Sequence, residues 1–354
     1  MFRRRFARTA IAAAFAAALL PAAQGGERGV AYVSNQNGGV NVVDIASGEI
    51  VRSLDPGAKS PRGIGITADG KFLVTANKDD ANLSVIDTAS GNVVRHIAIG
   101  KNPEFVRVAG NRVFVTYEPG AKGGPPPKPG AAPAAKDDDD DEKIPAHIAI
   151  VDLKRGKVVK QITSGPETEG IEFSPDGKRL VVTNEADNTI TVHDIASGKL
   201  LKTVSTADYG VRPRGIKVAP DGSFYVATLE FSHKLLTLDR NLKPLRTADT
   251  GNTPYGVSFD RDGKRIFVAA AREKALQVFD AKSLERIASI PTGDRCWHFS
   301  FTPDNAQILL ACGKSEELVV IDAEKLEVTK RIPNPGTPWG VVTYPKALGS
   351  LDRP

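Results

Sequence analysis

The hydrophobic positions of this chain fall in short runs, and the stretch from Gly170 to Val204 shows them most cleanly: GIEFSPDGKRLVVTNEADNTITVHDIASGKLLKTV. Four apolar runs of strand length are separated by Ser-Pro-Asp-Gly at 174–177, by the polar loop Asn184–Asn188, and by Ala196-Ser197-Gly198. Val181, Thr183, Ile190, Thr191 and Val192 are β-branched and no helical stripe intervenes, so the stretch predicts a four-stranded antiparallel meander. Pro175, Asp176 and Gly177 supply the first turn: proline presets φ, aspartate bonds nearby backbone, and glycine takes positive φ. One such sheet leaves two open edges and too little core to stand alone.

The same signature recurs along the chain. An apolar-x-Asp step closes the third strand at Asp44, Asp87, Asp152, Asp194, Asp239, Asp280 and Asp322. A Pro-x-Gly-like step opens the first strand at Pro61-Arg62-Gly63, Pro103-Glu104-Phe105, Thr168-Glu169-Gly170 and Pro213-Arg214-Gly215. It continues at Pro254-Tyr255-Gly256, Cys296-Trp297-His298 and Pro338-Trp339-Gly340. From the third residue of each step the spacings are 42, 65, 45, 41, 42 and 42. A forty-odd-residue period with four strands per unit predicts an all-β fold, a seven-bladed β-propeller of four-stranded antiparallel blades. The first unit opens at Val30 without a first strand, and Gly340 to Tyr344 is a first strand without a unit. Pairing the two closes the ring and removes an edge.

Composition adds an export signal and an insertion. The chain has 354 residues, 41% of them hydrophobic, enough for one large β domain. Arg3, Arg4, Arg5 and Arg8 precede the apolar run Ile11 to Leu20, and Pro21-Ala22-Ala23 offers small residues for cleavage. Residues 1–23 therefore predict a cleaved signal peptide, too short to span a bilayer, and a periplasmic or secreted product with no membrane span. Subtracting those four arginines from the formal +5 leaves +1, so the basic balance belongs to the signal and makes a nucleic-acid partner unlikely. The 65-residue spacing marks an insertion at about 119–143, rich in Pro, Gly and Ala before the acidic run Asp137 to Asp141. Its composition predicts disorder, and it lacks the spaced ligands of a calcium loop.

The repeats resemble the YVTN-repeat propellers, the YncE-like group of exported seven-bladed proteins. The resemblance rests on SPDGKRLVVTN at 174–184, NLSVIDTASGNVV at 82–94 and AYVSN at 31–35, and it covers nearly all of Val30 to Tyr344 outside the insertion. A subset associated with PQQ-dependent catabolism is similar, including the aromatic residues of the last two first-strand steps. The resemblance implies fold and compartment but little chemistry, because propellers carry many functions on one scaffold.

In a propeller the first strands line the central channel, so the middle residues of the Pro-x-Gly steps should face one mouth: Arg62, Glu104, Glu169, Arg214, Tyr255, Trp297 and Trp339. Both tryptophans of the chain fall in this ring. One arrangement is a two-sided pocket, aromatic faces stacking an apolar group while Arg62 and Arg214 hold an anion. The other is a plug, with Glu104–Arg62 and Glu169–Arg214 satisfying one another. A second ring, ending the second strands, reads Asn35, Asn77, Tyr117, Asn184, Thr228, Ala270 and Cys312 and is expected to bond loop backbone. Cys296 and Cys312, the two cysteines, lie across a hairpin and predict a disulfide in an exported protein; no metal site is predicted from them. His298 stands where the repeat prefers glycine, beside Trp297, and joins the candidate mouth residues.

No phosphate loop, nucleophile elbow, HExxH or CxxCH occurs. No catalytic residue and no cofactor is predicted; calcium at Glu104 and Glu169, or haem at His298, is the cofactor chemistry these residues suggest. The leading expectation is a monomeric, non-enzymatic, exported propeller that binds a small molecule or partner protein at the mouth, as an accessory to periplasmic redox or catabolic enzymes. The alternative is a propeller enzyme, either a metal-dependent lactonase-type hydrolase or a cofactor-dependent oxidoreductase.

Overall fold

A computed structural model describes residues 29–118 and 144–354. The expected signal peptide at 1–23 and the insertion at about 119–143 lie outside the described residues. The rest forms seven four-stranded antiparallel sheets arranged as blades, with no helix among the described residues. Blade four, for example, runs Thr168–Phe173, Arg179–Asn184, Thr189–Asp194, Leu200–Ser205. In each blade the three inner strands are largely buried, and the outermost is mostly exposed or half-buried. The ring closes as the pattern requires: Pro338–Tyr344 pairs with Val30–Asn35 in register Val30↔Tyr344 and Tyr32↔Val342.

Two repeated devices hold the blades. Each third-strand aspartate accepts from an amide of the following turn, as Asp194 Oδ1 does from Ser197 N at 2.7 Å and Asp322 Oδ1 from Lys325 N at 2.8 Å. These Asx turns explain the residue's place in the pattern. Cations from fourth strands cross to carbonyls of the next blade: Arg52 to Ala89 at 3.0 Å, Lys202 to Asn241 at 2.6 Å, and Lys330 to Ser47 at 2.7 Å, the last across the closure.

What positions the mouth is a β-bulge at the Pro-x-Gly step. In blade two Pro61 pairs with Asn77 and Ile64 with Thr75, so Arg62 and Gly63 together oppose one residue. The same shift recurs at 168–171, 213–216, 254–257 and 296–298. A bulge re-aims the side chain it carries. The glycine that follows is demanded by close approach: a Cβ on Gly63 would lie 2.1 Å from the Glu104 carbonyl oxygen, and one on Gly170 2.3 Å from that of Arg214. Hydroxyls of the second strands then pin neighbouring blades, Ser34 Oγ donating to Arg62 O at 2.5 Å, Thr183 Oγ1 to Arg214 O at 2.6 Å and Thr228 Oγ1 to Tyr255 O at 2.8 Å. Thr228 thus belongs to this pinning set. The strand-ending position expected of it is held by Leu229, opposite Pro213.

The chain does not stop being structured at Tyr344. Residues 345–353 turn back beneath the ring, Gly349 bridging to Ser300. Leu351 enters the central core, 1% exposed, beside Ile64 and Trp339.

Candidate functional site

The bulges of blades two, four, five and six, with Glu104 of blade three, bring Arg62, Glu104, Glu169, Arg214 and Tyr255 into one network. Arg62 Nη1 lies 2.7 Å from Glu104 Oε1, and its Nε donates to Gln36 Oε1 at 3.0 Å. Arg214 is the hub: Nη2 meets Glu169 Oε1 at 3.0 Å and the Tyr255 hydroxyl, and Nη1 meets Glu185 Oε1 at 2.5 Å and Glu230 Oε2 at 2.8 Å. Its guanidinium also stacks 3.8 Å over the Tyr255 ring. Arg212, one bulge-width outside, pairs with Glu167 at 2.8 Å and with Glu185. Both Arg62 and Arg214 are therefore engaged by carboxylates. The mutual pairing of the plug arrangement is what the geometry places in this half of the mouth.

The sequence pattern did not single out Glu118, Glu185, Glu230, Glu167 or Arg212. A signal existed. Glu118, Glu185 and Glu230 occupy the same repeat position, directly after the second strand of three consecutive blades. Glu167 and Arg212 share the position just before the first strand, where every blade has a left-handed backbone, with φ of 51° and 57° at these two. Six carboxyls and three guanidiniums thus crowd one side of the mouth. Desolvation raises three of these carboxyls: Glu185 is pushed up to about 8 by burial, then by Glu230, against the pull of Arg214 and Arg212. Glu118, which accepts from Asn102 Nδ2 at 3.2 Å, is pushed up to about 7 by burial and by Glu104 and Glu167. Glu169 is raised well above the usual carboxylate range by burial. Burial thus raises carboxyls that the shared guanidiniums pull back down, and titration perturbed in this way is a recurrent property of functional clefts.

The aromatic half is differently built. Trp339 is 2% exposed and packs 4.4 Å from the His298 ring, which also meets Tyr255 at 5.3 Å and Phe105 at 5.9 Å. Phe105 and His298 are the two steps lacking glycine, and their rings fill the channel between blades three and seven. His298 Nδ1 lies 3.1 Å from the Ser350 hydroxyl, so the returning tail reaches into the channel. Burial and the charges of Arg214 and Lys217 hold the imidazole well below its usual value, in the neutral form. At 3% exposure, with three rings around it, His298 has no open face for a macrocycle, so its surroundings do not fit a haem ligand. Trp297 is half-buried, packed against the edge of the central core and lying against Gly313, where a Cβ would be 1.9 Å from its ring.

Cys296 and Cys312 pair in register and form a disulfide beneath Trp297. Glu104 and Glu169, the suggested calcium ligands, instead face Arg62 and Arg214, a donor set already neutralised by guanidinium. Among the described residues no group of three or more His, Cys, Asp or Glu is placed to hold a metal ion. Nor is any helix there long and apolar enough to cross a membrane.

Comparison with known proteins agrees with the architecture. Residues 4–111 match the family described as YNCE-like beta-propeller, and residues 147–254 that described as Lactonase, 7-bladed beta-propeller. A curated relative, the dihydro-heme d1 dehydrogenase of Pseudomonas aeruginosa, is 25% identical over 150 residues, 41% of this chain. That match spans 30% of the relative's length. Among solved structures, a functionally unknown protein from Desulfotomaculum acetoxidans superposes with a TM-score of 0.73 at 17% identity, covering 89% of this chain and 98% of the other. The periplasmic gluconolactonase PpgL of Pseudomonas aeruginosa does so with 0.71 at 17% identity and the same coverages. At such identities the structural likeness speaks to fold. With seven closed four-stranded blades the chain has the seven-bladed β-propeller fold, and over residues 4–111 it is similar to the YncE-like family.

Proposed function

We propose that the protein is an exported, monomeric, non-enzymatic propeller whose channel mouth receives a small molecule or a partner protein, as an accessory to periplasmic redox or catabolic enzymes. The observation that carries this reading is preorganisation. Arg214 ties Glu169, Glu185, Glu230 and Tyr255 into one rigid polar wall, while Trp297 leaves part of its ring exposed at the opposite rim. A wall of paired charges beside an open aromatic favours a ligand with hydrogen-bond donors and an apolar or flat portion. The disulfide under Trp297 fits an oxidising compartment. The test is capture from the native compartment by wild type and by Trp297→Ala, a half-buried side chain packed against the edge of the central core, with the melting temperature of each protein measured alongside. Loss of the captured species with an unchanged melting temperature supports the mouth as the site. Retention of it in the variant overturns that reading.

A second reading, an enzyme of lactonase or oxidoreductase type, draws on one observation: Glu118, near 7, can donate or accept a proton at the mouth. Relatives named as a gluconolactonase and a dihydro-heme d1 dehydrogenase make those chemistries the ones to assay. Turnover of gluconolactone lost in Glu118→Gln, or a stoichiometric metal or haem band in natively purified protein, would replace the accessory reading with this one.

A further inference from the structure

The other end of the channel carries a second polar cluster that the mouth does not use. Three residues on from the mouth positions, the first strands of blades three, four and five present Arg107, Glu172 and Lys217. Arg107 Nη2 lies 3.0 Å from Glu172 Oε1, Lys217 Nζ 3.7 Å from Glu172 Oε2, and Arg353 Nε of the returning tail 3.6 Å from Glu172 Oε1. Arg107 is 2% exposed and Lys217 4%, yet Arg107 Nη1 and Lys217 Nζ have no hydrogen-bond partner. Native interiors rarely leave such donors unanswered.

Above this cluster opens a cleft of about 430 Å³. It exists because blade three breaks the repeat. Between equivalent strand positions, its hairpin covers only 109–112, from Val108 to Val113, where blade two uses 67–72, from Ile66 to Leu73. The Ser-Pro-Asp-Gly turn is replaced by Gly110 and Asn111, with Gly110 at φ 56°. The shorter turn leaves a notch between its neighbours, walled by Ala68 on one side and Gly177 on the other. Arg107, Arg112, Lys346 and Arg353 line it together with Phe114 and Phe173, whose rings meet edge-on at 4.9 Å. Asp352 is the one acidic side chain in that lining, and Lys346 holds it at 2.9 Å.

We propose that this cleft is a second ligand site, taking a small organic carboxylate whose charged end lies against Arg112 and Arg353 and whose apolar body lies on Phe114 and Phe173. Four lining cations outnumber the two nearby acidic side chains, Asp352 and the buried Glu172, so the field of the side chains in the cleft favours an anion. Guanidiniums match the planar fork of a carboxylate, and the edge-paired phenylalanines supply an apolar wall. The volume lies within the roughly 300–1,000 Å³ of small-molecule sites.

The probe is benzoate, titrated calorimetrically into the mature protein, with cyclohexylmethanol and inorganic phosphate as controls. Two variants separate binding from folding. Arg353→Ala removes a rim cation. Ala109→Trp fills the cleft from an exposed position and leaves the Arg107–Glu172 pair intact. Benzoate should bind wild type, with dissociation constants raised at least about tenfold in each variant, as expected for loss of a charge-assisted contact. The alcohol and phosphate should bind more weakly than benzoate. Absence of benzoate binding up to about 10 mM, equal binding by Ala109→Trp, or phosphate binding as tight as benzoate would each overturn the proposal.

Discussion

Replacing Arg214 by methionine tests the charge network at the mouth. The substitution keeps much of the aliphatic volume but removes the cation that three carboxyls share, at 3.0 Å from Glu169, 2.5 Å from Glu185 and 2.8 Å from Glu230. Those residues are 8%, 1% and 2% exposed, so water cannot take the cation's place. Stripping one partner from a buried charge pair costs about 3–5 kcal/mol. With roughly 300 described residues and about 2.1 cal/mol/K of unfolding entropy each, that loss lowers the melting temperature by about 5–8 °C. The loss should depend on pH in a definite sense. Glu169 and Glu185 have folded values raised above their unfolded ones by burial, Glu185 to about 8. A raised carboxyl contributes stability below its unfolded value, and that contribution disappears as pH climbs through the folded value. Removing Arg214 raises the folded values further and lets protonation relieve the exposed charges in acid. Thermal unfolding followed by near-ultraviolet circular dichroism should therefore show a small deficit at about pH 5 and the full deficit at about pH 8.5. An equal deficit at both, or one below about 1 kcal/mol, would refute the shared-cation account.

The same network predicts that Glu185→Gln flattens the fall in wild-type stability between about pH 5 and 8, read from urea midpoints. The disulfide closes a separation of 16 residues, so Cys296→Ala with Cys312→Ala should cost about 3 kcal/mol by the loop-entropy account. Reductant should lower the midpoint of wild type and leave the double variant unmoved. Ser350→Ala removes the hydroxyl that serves His298 Nδ1 at 3.1 Å and Phe299 N at 3.0 Å. It should cost about 1–3 kcal/mol in urea unfolding, and a loss below that range would show that the tail does not anchor the channel.

The blade architecture was legible in the amino-acid order alone, and the reason is local. Strand length, the Pro-Asp-Gly turns and the Asx-forming aspartates act within a few residues, so each copy of the repeat announces its own blade. The Cys296–Cys312 pairing was readable from the register of one hairpin, and ring closure from counting strands, since the first unit lacks a first strand and the chain ends with a spare one. The mouth residues named from the Pro-x-Gly steps do meet, but their partners were hidden. Arg214 bonds residues 16 to 45 positions away along the chain, on both neighbouring blades. The bulge that aims it appears only when the strand pairing is known. Glu118, Glu185 and Glu230 share a repeat position, yet nothing local says that position faces the channel rather than solvent. The tail after Tyr344 carries no repeat signature, so its entry beside His298 is decided by packing alone. Local periodicity specifies blades; which charges meet is a property of the closed ring, where long-range approach and exclusion of water set both pairing and protonation.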